Sequence, residues 1–352
     1  MFSRKWLLGG IAALLAVAGV SLLIFKPALF SGKAEGQLSG DSLEMIESLT
    51  PEIAALSENI RKSPEDPGLY FARANAYFDF GNMKYALADY EKAYRMDSTT
   101  AAHALGFSDC LFELNNAEGA IAVLEDYLKH DQQNIDILIN LGIDYFLLPK
   151  PEYQKAIDAL NEALKVDIQN ADAYFYKGLI YKESGDPDKA ASSFQTTVEV
   201  DPDYYDAWMQ LGLLYADKKD PLALKYFDNA ISLDSTSSEA YYAKAKFMQD
   251  AGRIGEAVRF YRNLITKNPQ DAEAIYNLAT IYYGIDSITQ AYRFYDLAIR
   301  QAPAKAMSYY GKGLCAEELK KRDEAISLYT QALNLDPELT EAEERLEQLN
   351  TN

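Results

Sequence analysis

Residues able to do chemistry are few in this chain and poorly spaced for it. The 352 residues include two histidines, His103 and His130, and two cysteines, Cys110 and Cys315. Metal-assisted hydrolysis needs a helical HExxH, thiol redox chemistry a CxxC, phosphate chemistry a glycine-rich loop before a helix, and acyl transfer a nucleophile at a sharp turn. None of these patterns occurs here. Both histidines are expected on exposed helix positions. The acid pairs Glu317-Glu318 and Glu343-Glu344 read as solvated helix surface. We therefore expect no enzymatic activity, catalytic residue, metal site or cofactor. The 53 acids against 34 Lys and Arg leave a net charge of −19, which disfavours a nucleic-acid partner, since phosphates require basic surface. What remains is recognition by aromatic rings and carboxylates.

The elements that would carry such groups repeat with a period of about 34 residues from Pro67 almost to the end. One copy reads Trp208, Leu211, Gly212, Tyr215, Ala223, Phe227, Ala230, and others read Tyr174, Gly178, Tyr181, Ala190, Phe194, Pro202 and Ile275, Leu278, Ala279, Tyr282, Ala291, Tyr295, Ala298, Pro303. Positions 4, 7, 8 and 11 of each copy share one helical face, and positions 20, 24 and 27 form a matching stripe on a second helix. Small residues recur where two backbones must meet: Gly142, Gly178, Gly212 and Gly313 in the first helix, Ala86, Ala190 and Ala223 in the second. A single hairpin cannot bury its apolar face, so the copies must stack.

Eight copies open at Pro67, Ala101, Ile135, Ala171, Tyr205, Ser238, Ala272 and Ala306. Thr100, Asn134, Asn170, Ser237 and Asp271 precede first helices as caps. Pro202, Pro269, Pro303 and Pro337 close second helices. Gly81, Gly185 and Gly252 fall at the turns, where a left-handed backbone suits glycine. Cys110 and Cys315 lie six repeats apart, too far to bridge, and read as small buried hydrophobes.

The W-x2-L-G-x2-Y…A-x3-F-x2-A…P pattern resembles the tetratricopeptide repeat family over about three quarters of the chain. The resemblance implies an all-α solenoid superhelix of about eight helix hairpins and a protein-binding role. It also implies that positions 2, 5, 9, 12 and 13 of the first helices line a groove. In this chain those positions supply Phe71, Asn75, Phe78, Phe112, Phe146, Phe175, Tyr242, Tyr276, Tyr283 and Tyr310, interleaved with Asp79, Glu113, Glu183, Asp217, Asp250 and Glu318. Such a lining suits a partner segment bearing Lys or Arg, with rings supplying cation–π contact and carboxylates supplying steering. The competing explanation is that an acidic chain simply places acids on every solvated surface. Members that clamp chaperone carboxyl termini use lysine, arginine and asparagine in this groove, and here only Asn75 stands at such a place, with Phe71 where a lysine is expected.

The ends complete the organisation. Residues 1–25 include Trp6–Phe25, a run of twenty residues without a charge, preceded by Arg4 and Lys5. Its length predicts an uncleaved transmembrane helix with the repeats in an extracytoplasmic space such as a bacterial periplasm. A cleaved signal peptide, leaving a secreted protein, is the alternative. Residues 26–42 read as a flexible linker, 43–66 as an amino-terminal cap or half-repeat, 67–337 as the array, and 338–352 as a capping helix. The functional expectation is a membrane-tethered adaptor for a protein or peptide. Its alternative is a self-assembling, homo-oligomeric component of an envelope complex.

Overall fold

A computed structural model describes residues 51–351, and among them every regular element is an α-helix. The first nine helices are α1 (Pro51–Lys62), α2 (Pro67–Asp79), α3 (Met83–Met96), α4 (Ala101–Glu113), α5 (Ala117–Tyr127), α6 (Ile135–Leu147), α7 (Tyr153–Val166), α8 (Ala171–Glu183) and α9 (Pro187–Val200). The other nine are α10 (Tyr205–Asp217), α11 (Leu222–Leu233), α12 (Ser238–Asp250), α13 (Ile254–Lys267), α14 (Ala272–Gly284), α15 (Ile288–Gln301), α16 (Ala306–Glu318), α17 (Arg322–Leu335) and α18 (Thr340–Thr351). The even-numbered helices α2 to α16 open at the residues that begin the eight copies.

One expectation is corrected. No helix among the described residues is long and apolar enough to cross a membrane. The longest have 14 residues, about 21 Å at the α-helical rise, against a hydrocarbon core of roughly 30 Å. The transmembrane helix expected over residues 6–25 lies outside the described residues. The fold is therefore an all-α helical repeat solenoid, without the preceding membrane span in its description.

Caps and turns explain the helix boundaries. The side chains of Asn134, Asn170, Ser237 and Asp271 accept from the backbone N–H three residues on. Thr100 does not, because its hydroxyl donates to Asp97 at 2.6 Å. Each hairpin turn but the third places one residue in the left-handed region: Gly81, Asn115, Gly185, Lys219, Gly252, Asp286 and Lys320, with φ between 55° and 84°. The third copy is two residues longer than the period, its segment Leu148-Pro149-Lys150-Pro151 makes the reversal instead, and Leu148 keeps φ −55°.

The two helices of a hairpin approach through the missing Cβ of a glycine. A Cβ on Gly178 would lie 2.5 Å from the Phe194 ring, and Gly142, Gly212 and Gly313 stand in the same relation to Leu160, Phe227 and Tyr329. The facing alanines Ala156, Ala190, Ala223 and Ala325 are fully buried.

Contacts divide the chain into two compact units, between Ala207 and Trp208. In unit 1 the first helices α2, α4, α6 and α8 each touch the next, making one shared face. Its front is closed by α1, whose Ile53 joins a core with Ala74, Tyr77, Ala86, Tyr90 and Cys110. Unit 2 has one core around Tyr261, Leu278 and Tyr295, and a second around Tyr329. Leu339 and Ala342 of α18 are buried in that second core.

Because contacts are local, damage should be local as well. Gly212→Leu forces bulk against Phe227 and should cost about 1–3 kcal/mol or more. Hydrogen exchange should then quicken in α10–α13 while α2–α7 keep their protection. Uniform loss along the chain would contradict this.

Candidate partner-binding face

Six carboxylates at position 13 of the first helices, Asp79, Glu113, Glu183, Asp217, Asp250 and Glu318, are all solvent-exposed. Each stands in the last turn of its helix or at its end, where the dipole disfavours negative charge, so helix stability does not account for them. Asp250 is paired with Lys246 at 3.0 Å, one helical turn away. No ion pair engages Asp79, Glu113, Glu183, Asp217 or Glu318 among the described residues.

The aromatics expected to line the groove prove to be tied to the core. Five rings at position 5 each meet the ring nineteen residues later on the second helix of the same repeat. Centroids are 5.7 Å apart for Phe71–Tyr90, 5.6 Å for Phe175–Phe194, 6.4 Å for Tyr242–Tyr261, 5.8 Å for Tyr276–Tyr295 and 5.8 Å for Tyr310–Tyr329. Four of these first-helix rings remain half-exposed. Phe175 does not: it is 5% exposed, held between Phe194, Tyr176 and Tyr204, and it leaves the set of surface candidates. Its close partner Tyr204, centroid 4.8 Å away, is fixed by donating its hydroxyl to Asp172 at 2.9 Å.

At position 12, Phe78, Phe112, Phe146 and Tyr283 are half-exposed. Phe78 packs edge-on against Tyr90, and Phe146 against Tyr153. Asn75 accepts a hydrogen bond from the Tyr90 hydroxyl at 2.6 Å, so its carbonyl is engaged within the repeat. Burial, followed by nearby carboxylates, pushes the phenols of Tyr242 and Tyr283 upward. Burial dominates for Tyr276 and Tyr310 as well. All four therefore stay protonated at neutral pH, as hydrogen-bond donors.

Tyr276 already carries a cation. The Lys305 ammonium lies 4.0 Å from its ring centroid and pairs with Glu273. This is the ring-plus-carboxylate arrangement that a ligand lysine would use, here satisfied from within the chain. The two units thus differ. Unit 2 neutralises part of its first-helix face through Lys246 and Lys305, whereas Asp79, Glu113 and Glu183 in unit 1 have no such partners.

Other groups lie where spacing did not put them. His103 is 6% exposed rather than on the surface, because its ring packs against Phe71 and its Nδ1 lies 3.0 Å from the Asp97 carbonyl. His130 is exposed. Position 7, part of the apolar stripe in the pattern, carries cations in four repeats. Arg73 donates twice to Asp89, at 2.6 and 2.9 Å, and once to Ser57 at 3.0 Å. Lys177 reaches Asn161 at 2.8 Å, Lys312 reaches Asp296 at 2.7 Å, and Lys244 pairs with Asp228. Repetition of a basic residue at one core position was the available signal. Among the described residues, no cluster of His, Cys, Asp and Glu could hold a metal ion.

Tetratricopeptide repeat family profiles match residues 78–139 and 248–310, 152–191 and 179–240, and 306–339. The chain belongs to the tetratricopeptide repeat family. Proteins of this fold act as protein–protein interaction scaffolds and bind peptides or proteins.

Among curated proteins the chain is 34% identical over 92 residues to the probable UDP-N-acetylglucosamine–peptide N-acetylglucosaminyltransferase SPINDLY of Solanum lycopersicum, and equally to that of Hordeum vulgare. The match takes in 26% of this chain and 10% of each relative, so the chain spans about a tenth of the curated relatives it matches. Only repeats are shared, and no enzymatic role follows.

Similar solved structures include MamA, 26% identical over 48% of this chain and 92% of that one, with TM-score 0.42. YrrB, described as a TPR protein with an unusual peptide-binding site, is 28% identical over 54% and 97%, with TM-score 0.41. A tetratricopeptide repeat protein from Parabacteroides merdae is 20% identical over 71% and 98%, with TM-score 0.49.

The thiols offer a clean check on this packing. Burial above all, with neighbouring carboxylates adding to it, pushes Cys110 and Cys315 up to about 12. The reactive thiolate is therefore scarce in the folded protein at pH 8, and a disulfide-exchange reagent must wait for local opening. Labelling should be at least ~100-fold slower than in denaturant. Fast native labelling of either cysteine would show that its hairpin is open.

Proposed function

We propose that this protein is an adaptor whose first-helix face holds a partner segment rich in Lys or Arg. The observation that carries the reading is the row of Asp79, Glu113 and Glu183 in unit 1, exposed and without ion pairs among the described residues. Half-exposed Phe78 and Phe112 stand one residue before Asp79 and Glu113, with Phe146 at the same position of the next repeat, and supply the apolar contact. Lys305, seated on Tyr276 and Glu273, illustrates the chemistry. In this reading residues 67–337 form the binding array, 43–66 and 338–352 its caps, and 26–42 a spacer.

The test uses two labelled peptides, one alternating Lys and Leu and one alternating Glu and Leu. The full chain should bind the first and not the second. Asp79→Asn, Glu113→Asn and Glu183→Asn together should slow association by roughly tenfold at low salt and flatten its salt dependence, since these charges act mainly on encounter. Phe112→Ala should instead speed dissociation, at about 1–2 kcal/mol. Equal binding of both peptides, or unchanged rates in the triple variant, would sink the reading.

The same proposal places the array outside the cytoplasm. Its support is the charge-free run 6–25 behind Arg4 and Lys5, an export signal whether retained or removed. A reporter fused after Asn352 that works only outside the cytoplasm should be active, and an inactive reporter on a stably made fusion would overturn this placement.

A further inference from the structure

Part of unit 2 carries charge against the trend of the chain. On its second helices α13 and α15, Arg259, Arg262 and Arg293 are exposed. The nearby acids are already engaged. Glu256 pairs with Arg253 at 2.6 Å, and Asp296 with both Lys312 and Arg300 at 2.7 Å. No ion pair engages Arg259 or Arg293 among the described residues, and Arg262 donates only to the Tyr282 hydroxyl. Beside Arg293 a shallow depression of about 370 Å³ is floored by Tyr292 and Leu297. In a protein of net charge −19 this is a locally basic, partly apolar surface on which Arg259 and Arg293 have no ion pair among the described residues.

The repeat also builds a charged row of opposite sign on the same chain. Arg259 and Arg293 stand at one position of successive repeats, 34 residues apart. Asp79 and Glu113, the uncommitted acids of unit 1, also stand at one position of successive repeats, 34 residues apart. Both rows therefore advance by one residue per repeat, and arginine forks suit carboxylates.

We propose that the partner of this arginine face is a second copy of the chain: Arg259 and Arg293 of one copy dock on Asp79 and Glu113 of the next. The inference rests on the acidic first-helix face taken above as a binding surface, and it names one of that face's ligands. Because the two surfaces differ, a single contact is heterologous and propagates into chains or rings, whereas two reciprocal contacts close a pair. The large negative net charge opposes close approach elsewhere, so these two rows set the register of the contact.

Sedimentation of the full chain tests this directly. The wild type should form concentration-dependent oligomers, pairs or larger. Arg259→Gln with Arg293→Gln, and separately Asp79→Asn with Glu113→Asn, should each weaken association at least tenfold while helix content is unchanged. An equimolar mixture of the two variants retains one intact interface per pair and should stop at a 1:1 complex. A wild type that stays monomeric up to about 100 µM, where contacts of even modest affinity populate, overturns the proposal. Association equal to wild type in either variant, as contacts through the apolar amino-terminal run would give, also overturns it. The arginine variant should bind the Lys–Leu peptide like wild type. A wild type that associates as described but ignores that peptide would count against the functional reading and leave this one standing.

Discussion

The structure depends on one close approach repeated along the chain. Where position 8 of a first helix has no Cβ, a ring or branched side chain from position 24 of the second helix fills the space, as Phe194 does at Gly178 and Tyr329 at Gly313. The gap admits no extra atom, so the crossing of the two helices is set by the shape of one side chain. Alanine at position 20 lets the second backbone come as near from its own side. A hairpin built in this way still exposes its apolar flanks, and the next hairpin must cover them.

An aromatic at position 24 also reaches outward. Tyr90, Phe194, Tyr261, Tyr295 and Tyr329 each meet a position-5 aromatic of the first helix. The half-exposed rings are thereby held from behind by the core. Little side-chain entropy remains for a ligand to remove, which favours binding by a preformed surface. The cost is that ring area used in folding is withdrawn from the surface, and Phe175 has gone wholly to folding. Tyrosine–carboxylate bonds lock neighbouring repeats in register. Tyr94 donates to Asp126 at 2.9 Å, one repeat further on.

Charge is organised by the same repeats. Cations at position 7 are consumed inside the stack, by Asp89 for Arg73 and by Asp296 for Lys312. Lys246 and Lys305 are consumed on the first-helix face of unit 2. Asp79, Glu113 and Glu183 of unit 1 and Arg259 and Arg293 of α13 and α15 are among the described charges that this internal pairing leaves over. Their exposure gives solvent-screened charges that act at the range of a Debye length, suited to steering a partner rather than to stabilising the fold.

The sequence by itself determined the hairpins, their starting residues, most of their caps and the glycine-lined crossing. Each depends on spacing within one helix or one turn, and short-range geometry decides it. It also marked the exposed acids of position 13, because a last-turn carboxylate has no local reason to be there. Tertiary structure alone decided which marked side chains remain available. Phe175 was lost to Tyr204, the Tyr276 ring was covered by Lys305, Asn75 was bonded to Tyr90, and His103 was drawn beneath Phe71. Those outcomes turn on side chains meeting across helices and across repeats. A periodic pattern places residues on a face, but the reach of a neighbouring lysine or ring decides whether that face is free.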